Sequence, residues 1–526
     1  MAIIVTIAII LIIYNKNENV VYIEDNGVKY SILINGNTAT SFPSGNYKVS
    51  VTCDNAVGYW DSIQNKVIIN DIVDDILCNV AFNSITNSDM LNNYIIGLSN
   101  TTQGTGAVVH EMGEIPSSSA GWEKASMTYE NVSGNPISVS NNEYTGTQTT
   151  ANSSGYYKFY PPTDGYYRVC YSIPSSATTT QNKFMVYYLN NTSYYSFDVS
   201  SSVNNGAVVS DCVEYGIMQT TDFAYVQNKF YDQNITFYFE KATNMDTIDT
   251  GYRYEGKNPN NYIWFNNELW RIVGVFETEY DSNNDGIVDS TDNLVKIVRN
   301  RSLGSLVTST GTGGITSTND YANSTIRLLL NDTYYNHKND STYCYGLRDQ
   351  IQKVCDYRLK GIQTDYQELV MNAKWYLGGG GKFGYTAIIP DNIYSYERDQ
   401  NSLRDTYNLP PLTLSILSKV ALLYESDFLY ATLETSCPRK IVGKLYNTYS
   451  CGGSNWMASE GRQLLLTMNH SDGANTRDIS ESGGVSNNMC YFPNNIRPTI
   501  YLSPSVYRVS GTGTITDPYI IGMATS

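Results

Sequence analysis

The chain has 526 residues, only 16% of them charged, and its formal net charge at pH 7 is −16. Charged residues make up about 25% of an average globular domain, so solubility depends here on Asn, Ser, Thr and Gly. The acidic balance argues against nucleic acid and anionic lipid as partners, because both need a basic surface on the protein. The length predicts about three domains, and 46 Tyr among alternating Val, Ile and Thr predict mainly β structure.

The first segment, residues 1–17, contains an almost unbroken apolar run at 2–14. A membrane-spanning helix needs about 20 apolar residues, and a signal peptide carries a basic stretch that this segment lacks. The two physical options are a truncated signal anchor and a buried strand, and a buried strand rarely exceeds about eight residues. We therefore expect a truncated anchor that tethers the chain to a membrane at its N-terminal end.

Residues 18–88 carry the pattern of a small β-sandwich. Short runs of β-branched and aromatic residues predict strands at 20–23, 30–34, 47–51 and 67–69. Asn-Gly pairs at 26–27 and 35–36 predict hairpin turns. Cys53 and Cys78 enclose Trp60, an order typical of immunoglobulin-like domains, although the spacing is shorter than in antibody domains. We expect an Ig-like sandwich here.

A linker at 89–119, with helical character at 89–98, leads into a second β-sandwich at 120–242. Its strand-like runs lie at 156–160, 165–170, 184–188 and 235–239. Jelly-roll carbohydrate-binding modules and inert stalk domains share this texture, and the stalk is the favoured interpretation. Tyr194 and Tyr195 are able to stack on sugars, but aromatic residues are common throughout this chain.

The last region, 250–526, mixes strands with helices and is expected to be α+β. Runs at 263–265 and 269–276 flank Asn266-Asn267 and predict a tight hairpin. Helical apolar spacing predicts helices at 324–335 and 412–424.

An acidic segment at 281–292 has the ligand spacing of an EF-hand loop, with Gly286 at the sharp turn. The predicted calcium ligands are Asp281, Asn283, Asp285, the Ile287 carbonyl, Asp289 and Asp292. Asp stands at the last position, where Glu is usual, as in dockerin-like loops. The alternative is an acidic solvated turn. We expect a structural Ca²⁺, because carboxylates this dense would repel one another without a cation.

Nine Cys favour export, because eight of them fall into neighbouring pairs and no C-x-x-C is present. The expected disulfides are Cys53–Cys78, Cys170–Cys212, Cys344–Cys355 and Cys437–Cys451. Cys490 is left over, and it either stays a thiol or displaces one of these pairings. Connectivity cannot be deduced from the sequence alone.

The segment 469–488 is polar and lies between apolar, strand-like runs at 464–468 and 496–502. Loops held by a rigid scaffold are where recognition residues concentrate, so we predict a binding surface without catalytic residues. Arg477 is the strongest expected contact, because Arg carries a disproportionate share of interface energy. The full set of expected ligand-binding residues is Trp456, Asn469, His470, Asp472, Asn475, Arg477, Asp478, Asn487, Asn488 and Tyr491. For His470 the alternative is a solvated loop histidine.

Four segments of the last region carry a family resemblance. YIWFNNELWRIVGVF at 262–276 and LVKIVRN at 294–300 resemble a family of uncharacterised surface proteins from gut-dwelling Gram-positive bacteria. RPTIYLS at 497–503 and GTGTITDP at 511–518 fit the same family. The resemblance implies a C-type lectin-like module of the formylglycine-generating-enzyme type over 250–526. It also relates the chain to variable proteins of diversity-generating retroelements, whose hypervariable segment would correspond to 469–488.

These features predict an extracellular, cell-surface protein, anchored N-terminally in a membrane, that binds a protein or glycan ligand on another cell, a phage or a host surface. Two β-sandwich domains would form a stalk and the C-type lectin-like domain its tip. One alternative is a structural subunit of a surface fibre. Another is an enzyme on the same fold, but such an oxidase needs a reactive Cys pair, which Cys437, Cys451 and Cys490 supply poorly. We expect no enzymatic activity.

Overall fold

The chain forms mainly β structure, with several sheets and a few short helices. This confirms the prediction of a multidomain, mainly β protein. The computed structural model describes residues 3–4, 11–15, 20–25, 28–43, 47–54, 56–61, 66–70, 76–116, 121–147, 155–173, 184–190, 193–198, 209–228, 234–243, 247–308, 319–346, 352–379, 390–398, 413–433, 454–469, 473–481 and 483–524.

The N-terminal unit consists of two sheets around one apolar core. Its strands are β1 (Ile3–Ile4), β2 (Leu11–Asn15), β3 (Val20–Asp25), β4 (Val28–Ile34), β5 (Asn37–Ala39), β6 (Tyr47–Cys53), β7 (Val57–Asp61), β8 (Lys66–Asn70) and β9 (Ile76–Ser84). One sheet has the order β2-β3-β4-β9-β6, with β5 on β4, and the other β1-β8-β7. Alternate residues such as Ile32, Val80 and Phe82 meet Val67 and Ile69 in the core, which is the period of two that a half-buried strand requires.

The described part of the expected membrane anchor is strand, the second of the two options that its sequence leaves open. Leu11–Asn15 pairs antiparallel with Val20–Asp25. No helix within the described ranges combines the length and the hydrophobicity needed to cross a bilayer.

The middle unit also has two sheets, and aromatic rings fill the space between them. Its strands are β12 (Gly121–Ala125), β13 (Thr128–Ser133), β14 (Ser138–Ser140), β15 (Glu143–Gly146), β16 (Gly155–Tyr160), β17 (Gly165–Ile173), β18 (Phe184–Asn190), β19 (Ser193–Asp198), β20 (Val209–Met218), β21 (Phe223–Asn228) and β22 (Ile235–Thr243). The orders are β14-β15-β22-β17-β20, with β12 on β22, and β13-β16-β21-β18-β19. Tyr144 and Phe237 of the first sheet pack on Phe159 of the second, with ring centroids 4.8 and 5.5 Å apart.

The C-terminal unit carries the helices and the largest core. Its helices are α1 (Leu91–Gly97), α2 (Thr325–Leu328), α3 (Thr364–Gln367), α4 (Pro390–Arg398) and α5 (Glu425–Tyr430), with a π-helical turn at Leu329–Tyr334 and 3₁₀ turns at Tyr321–Asn323 and Trp456–Glu460. Its strands are β10 (Gly104–Glu111), β24 (Tyr252–Pro259), β25 (Tyr262–Phe265), β26 (Glu268–Asp281), β27 (Ser290–Arg299), β28 (Ser305–Leu306), β29 (Asn372–Tyr376), β30 (Ser415–Ser418), β31 (Gln463–Met468), β32 (Asn475–Ile479), β33 (Val485–Met489), β34 (Asn494–Asn495), β35 (Thr499–Tyr501), β36 (Val506–Ser510) and β37 (Ile520–Met523). The short strands β11 (Glu114–Pro116) and β23 (Thr247–Asp249) pair with each other.

Two sheets organise this unit. The main sheet has the order β10-β24-β26-β27-β35, with β25 and β29 on β26 and β30 on β29, and the small sheet has the order β28-β34-β31-β32-β33. Part of the expected linker belongs to the main sheet, since β10 pairs with β24 along Gly104–Glu111. Leu91, Ile95 and Val109 are buried in the same apolar core as Trp270.

The hairpin predicted around Asn266-Asn267 is confirmed, whereas one predicted helix is wrong. Both Asn residues have positive φ, 56° and 58°, the backbone twist that a two-residue turn between β25 and β26 needs. Helix at 324–335 is borne out by α2 and the π-helical turn. Residues 415–418, by contrast, form β30 and pair with β29, and the Trp375 indole Nε1 donates to the Ser418 carbonyl at 2.9 Å.

Three of the four predicted disulfides are present. Cys53–Cys78, Cys170–Cys212 and Cys344–Cys355 are bonded, while Cys437 and Cys451 lie outside the described residues. The first two join register partners on neighbouring strands of one sheet. This differs from the immunoglobulin arrangement that the order Cys53, Trp60, Cys78 suggested, in which the bridge joins two sheets. Cys490 is buried.

Candidate binding surface

The predicted recognition segment is largely a β-hairpin, not an irregular loop. β32 pairs with β33 from Asn475↔Met489 to Ile479↔Val485. The turn is closed by the Ser480 N–H, which donates to the Gly484 carbonyl at 2.7 Å. β33 is the last strand of the small sheet, so its outer side is an edge in the described chain. His470 and Asp472 lie outside the described residues.

The inner strand β32 buries its charges. Arg477 is 1% exposed, its Nε lies 3.3 Å from Glu425 Oε2, and its guanidinium donates to Asn487 Oδ1 at 3.1 Å. Asp478 is fully buried and pairs with Arg462, whose NH1 donates at 2.7 Å. Burial raises the pKa of Glu425 to about 7, against the opposing effect of the Arg477 charge. Arg477 and Asp478 therefore connect the hairpin to α5 and to Arg462. The expectation that Arg477 is a surface contact does not fit its burial.

Three other expected contact residues are also buried. Trp456 donates from its indole Nε1 to the Tyr254 carbonyl at 2.9 Å, which fixes it in the core of the C-terminal unit. The Asn469 carbonyl accepts from the Asn319 side chain at 2.8 Å. Tyr491 is buried with its ring 5.1 Å from that of Phe492. These residues support the surface from below.

The outer strand and the turn that follows it supply the accessible side chains. Asn487 and Asn488 are half-buried, and Met489 and Phe492 are 41% and 42% exposed. The Phe492 N–H donates to the Met489 carbonyl at 2.8 Å, so Met489 and Phe492 are the first and last residues of one tight turn. Asn475, also half-buried, faces Met489 across the ladder. We call Asn487, Asn488, Met489 and Phe492 the outer-strand surface.

Sequence reasoning found Asn487 and Asn488 but missed Met489 and Phe492. Both lie between the predicted recognition segment 469–488 and the strand-like run at 496–502, where Tyr491 is the one residue predicted as a contact. The signal that would have found them is the register: Asn475 opposite Met489 puts Met489 at the open end of an edge strand.

A buried ion network ties the hairpin's base to the main sheet. Asp427 of α5 accepts from Arg253 NH1 at 2.7 Å and from Lys296 Nζ at 3.0 Å. The Lys296 ammonium lies 4.5 Å from the Phe276 ring centroid and 4.6 Å from that of Tyr424, and burial lowers its pKa to about 8. Because α5 carries Asp427 and Glu425 in a single turn, it links β24 and β27 to the hairpin. The base of the outer-strand surface is therefore rigid.

The predicted calcium loop lies at the tip of the β26–β27 hairpin, where N–H groups of the loop donate to its side-chain oxygens. The Asp281 carboxylate is buried and accepts from the N–H groups of Asp285 and Gly286 at 3.1 and 2.8 Å. Burial opposes ionisation, yet the Gly286 N–H and the Asn372 amide hold the pKa of Asp281 below its ordinary value. Asn283 Oδ1 and Asp285 Oδ1 accept from the N–H groups of Asp285 and Ile287, which folds the loop back on itself.

The last two predicted ligands are engaged elsewhere in the loop. Asp289 accepts from the N–H and hydroxyl of Ser282 at 2.8 and 2.9 Å, and Asp292 accepts from the Tyr280 hydroxyl at 2.7 Å. Among the described residues, the close group of potential metal ligands is Cys170, Cys212 and Glu240, whose cysteines are joined in a disulfide and cannot ligate. The loop offers oxygen atoms of the type that Ca²⁺ prefers, but no three of its carboxylates lie close enough together to share one ion in the described residues.

Comparison with known proteins adds no assignment: no protein-family model matches this chain, and no curated protein matches it. The function is therefore argued from the geometry of these sites.

Proposed function

We propose that the chain is an extracellular ligand-binding protein and that the outer-strand surface contacts the ligand. The observation that carries the proposal is that the edge strand β33 lies beside β32, whose charged residues are buried and have charged partners. The half-buried Asn487 and Asn488, whose amides are held by hydrogen bonds within the protein, lie beside the exposed apolar Met489 and Phe492. Binding surfaces of this kind lose little conformational entropy on association, because their backbone is already fixed.

The extracellular location is supported by the three disulfides, which persist in oxidising compartments and are rare in the cytosol. Attachment to a membrane through residues 1–17 remains part of the proposal. In its finer form, the proposal has an Ig-like unit that lacks the inter-sheet disulfide of immunoglobulin domains, a jelly-roll-like unit and a C-type lectin-like unit. What supports the last is a large antiparallel sheet joined to a small one that carries the recognition hairpin.

The experiment is a protein and glycan array probed with the full chain, followed by affinity measurement on the ligand it retains. The double variant Met489→Ala, Phe492→Ala is expected to bind at least tenfold more weakly, since Met and aromatic residues are enriched at protein interfaces. The matched control is Ile515→Ala, which truncates an exposed apolar residue between β36 and β37. Undiminished affinity of the double variant, with an unchanged circular dichroism spectrum, would contradict the proposal.

A bound Ca²⁺ at 281–292 belongs to the same proposal and has a structural role there. The ligands it would take are Asp281, Asn283, Asp285 and the Ile287 carbonyl. Asp289 and Asp292 are left out because their carboxylates already accept from Ser282 and Tyr280. Bound calcium would neutralise the acidic hairpin tip and hold it closed.

A fibre subunit is the second candidate, and the edges of the middle unit favour it. β13 and β14 are outer strands of the two sheets, all of their residues are exposed, and Tyr129, Val132 and Val139 are among them. Unprotected strand edges are templates for pairing with another chain. Sedimentation velocity over a hundredfold concentration range separates the candidates: a fibre subunit should form oligomers that Val132→Lys abolishes, whereas a binding tip should stay monomeric.

A further inference from the structure

A cavity of about 420 Å³ opens beside the loop 300–304, between the end of β27 and the segment 353–360. Four of its fourteen lining residues are Lys or Arg and one is Asp, whereas acidic residues outnumber basic ones by 50 to 34 in the chain. Ser305 and Leu306 of β28 contribute to the lining, and β28 is at the opposite edge of the small sheet from β33. The cavity is therefore separate from the outer-strand surface.

The walls of this cavity are held by strong interactions. The Arg299 guanidinium donates to both carboxylate oxygens of Glu268, at 2.8 and 2.6 Å. It also donates to the carbonyls of Arg301 and Ser302, at 2.8 and 3.0 Å. On the facing side, the Cys344–Cys355 disulfide fixes the start of the segment 353–360. A ligand therefore meets a preformed site and does not have to order it.

The positive charge at the mouth comes from Arg301, Lys353 and Lys360, all of which are exposed. Lys353 Nζ donates to the Ser305 carbonyl at 3.1 Å, which keeps the ammonium group at the wall. The lining acid, Asp356, is neutralised by Arg358, whose NH2 lies 2.6 Å from its carboxylate. Glu268 neutralises Arg299 in the same way, so the lining keeps a net positive charge.

Apolar side chains are exposed beside these cations. Val354 lines the cavity and is 86% exposed, and Leu359, next to Lys360 in the chain, is 92% exposed. Exposed aliphatic residues next to fixed cations suit a ligand that has both an anionic group and an apolar face. A sugar ring bearing a carboxylate or sulfate has both.

We propose that this cavity binds an acidic sugar unit of a glycan. The anionic group lies among Arg301, Lys353 and Lys360, because hydrogen bonds between charged groups are stronger than those between neutral groups. The apolar face of the ring lies against Val354. The volume falls in the range of about 300–1,000 Å³ that is typical of small-ligand sites. An acidic peptide fits less well, because it needs an extended groove or a free strand edge, and this lining comes from turns and the two-residue strand β28.

This inference deepens the proposed function, on which it rests, by adding a second site and the chemical class of its ligand. The test is calorimetry on the full chain with four probes: a uronic acid oligosaccharide, its neutral methyl ester, a sulfated oligosaccharide and an acidic peptide of equal charge. The variants are Lys353→Glu and Arg301→Glu. Lys257→Glu, at an exposed lysine of β24 outside the cavity, is the matched control for the change in net charge.

The acidic oligosaccharide is expected to bind the unmodified chain and the control equally, and each cavity variant at least tenfold more weakly. Raising the salt concentration should also weaken binding, because the cations are exposed. Comparison of the uronic acid and sulfated probes identifies which anion the cavity prefers. Unchanged binding to Lys353→Glu, equal binding of the methyl ester, a preference for the peptide, or no binding of either acidic sugar would overturn the inference.

The two proposals fail separately. The Met489→Ala, Phe492→Ala variant should bind the acidic oligosaccharide as tightly as the unmodified chain, since the outer-strand surface is at the other edge of the small sheet. If cavity variants bind normally while that double variant loses its array ligand, the proposed function stands and the cavity assignment falls. If both sets of variants retain all binding, both are overturned.

Discussion

The two strands of the recognition hairpin have similar polar sequences and opposite environments. β32, with the sequence NTRDI, buries four of its five residues, whereas β33, with the sequence VSNNM, buries only the first. Arg477 and Asn487 are register partners, yet Arg477 is buried with its Nε 3.3 Å from Glu425 Oε2, while Asn487 stays half-buried on the edge strand. Polarity in a sequence therefore does not separate a residue that anchors a surface from one that contacts a ligand.

The difference arises from position in the sheet. β32 lies between β31 and β33, with Glu425 of α5 against it, so every polar group on it needs an internal partner. Within the described ranges, β33 has a neighbouring strand on one side only, and most of its side chains are half-buried or exposed. Under the proposed function, a ligand would contact β33, and the position of β33 depends on the buried contacts of β32.

The largest effect that tests this comparison is the loss of Arg477. At about pH 8, above the pKa of Glu425, Arg477→Ala should lower the free energy of unfolding by about 3–5 kcal/mol, because it leaves the ionised, buried carboxylate without its cation. The measurement is chemical denaturation of the full chain, followed by tryptophan fluorescence. This expectation replaces that of an exposed contact, for which the same substitution would leave stability unchanged.

Asn487→Ala is the matched control on the facing strand. It removes an acceptor from Arg477 but leaves no buried ion unpaired, so the loss should stay near 1 kcal/mol. Equal losses for the two variants would mean that the inner and outer strands do not differ as described.

Much of the strand content is predictable from the sequence, whereas the burial of charges is not. The runs at 30–34, 156–160 and 235–239 are confirmed because β-branched and aromatic alternation is a local signal. The segment 412–424 was wrong as a helix, since short apolar runs fit either period until the pairing partner is known, here β29. Arg477 and Glu425 are 52 positions apart, so no local pattern shows that they meet.

In the loop 281–292, buried and exposed acidic residues lie side by side, and backbone N–H groups donate to their carboxylates. If Ca²⁺ binds there, saturating calcium should raise the melting temperature, with a stabilisation of about 2.7 kcal/mol at a hundredfold excess over the Kd. Asp285→Asn should abolish that rise and leave the melting temperature in EDTA nearly unchanged, because Asp285 is exposed. Asp365→Asn, at an exposed position on α3, is the control. A rise that survives Asp285→Asn would argue against this ligand set.

The smallest effect concerns the protonation of Glu425, the α5 carboxyl that lies beside Arg477 of the inner strand. Burial raises the pKa of this carboxyl to about 7 from its ordinary value of 4.5, with Arg477 opposing and Glu397 reinforcing the shift. Its contribution to stability is complete below about pH 4.5 and is lost as the pH rises to about 7, because only the unfolded carboxyl ionises in that window. Glu425→Gln cannot titrate, so its melting temperature should fall less between pH 5 and pH 7.5 than that of the unmodified chain. Parallel curves would show that Glu425 is ionised throughout and that the Arg477 pair, not burial, determines its charge.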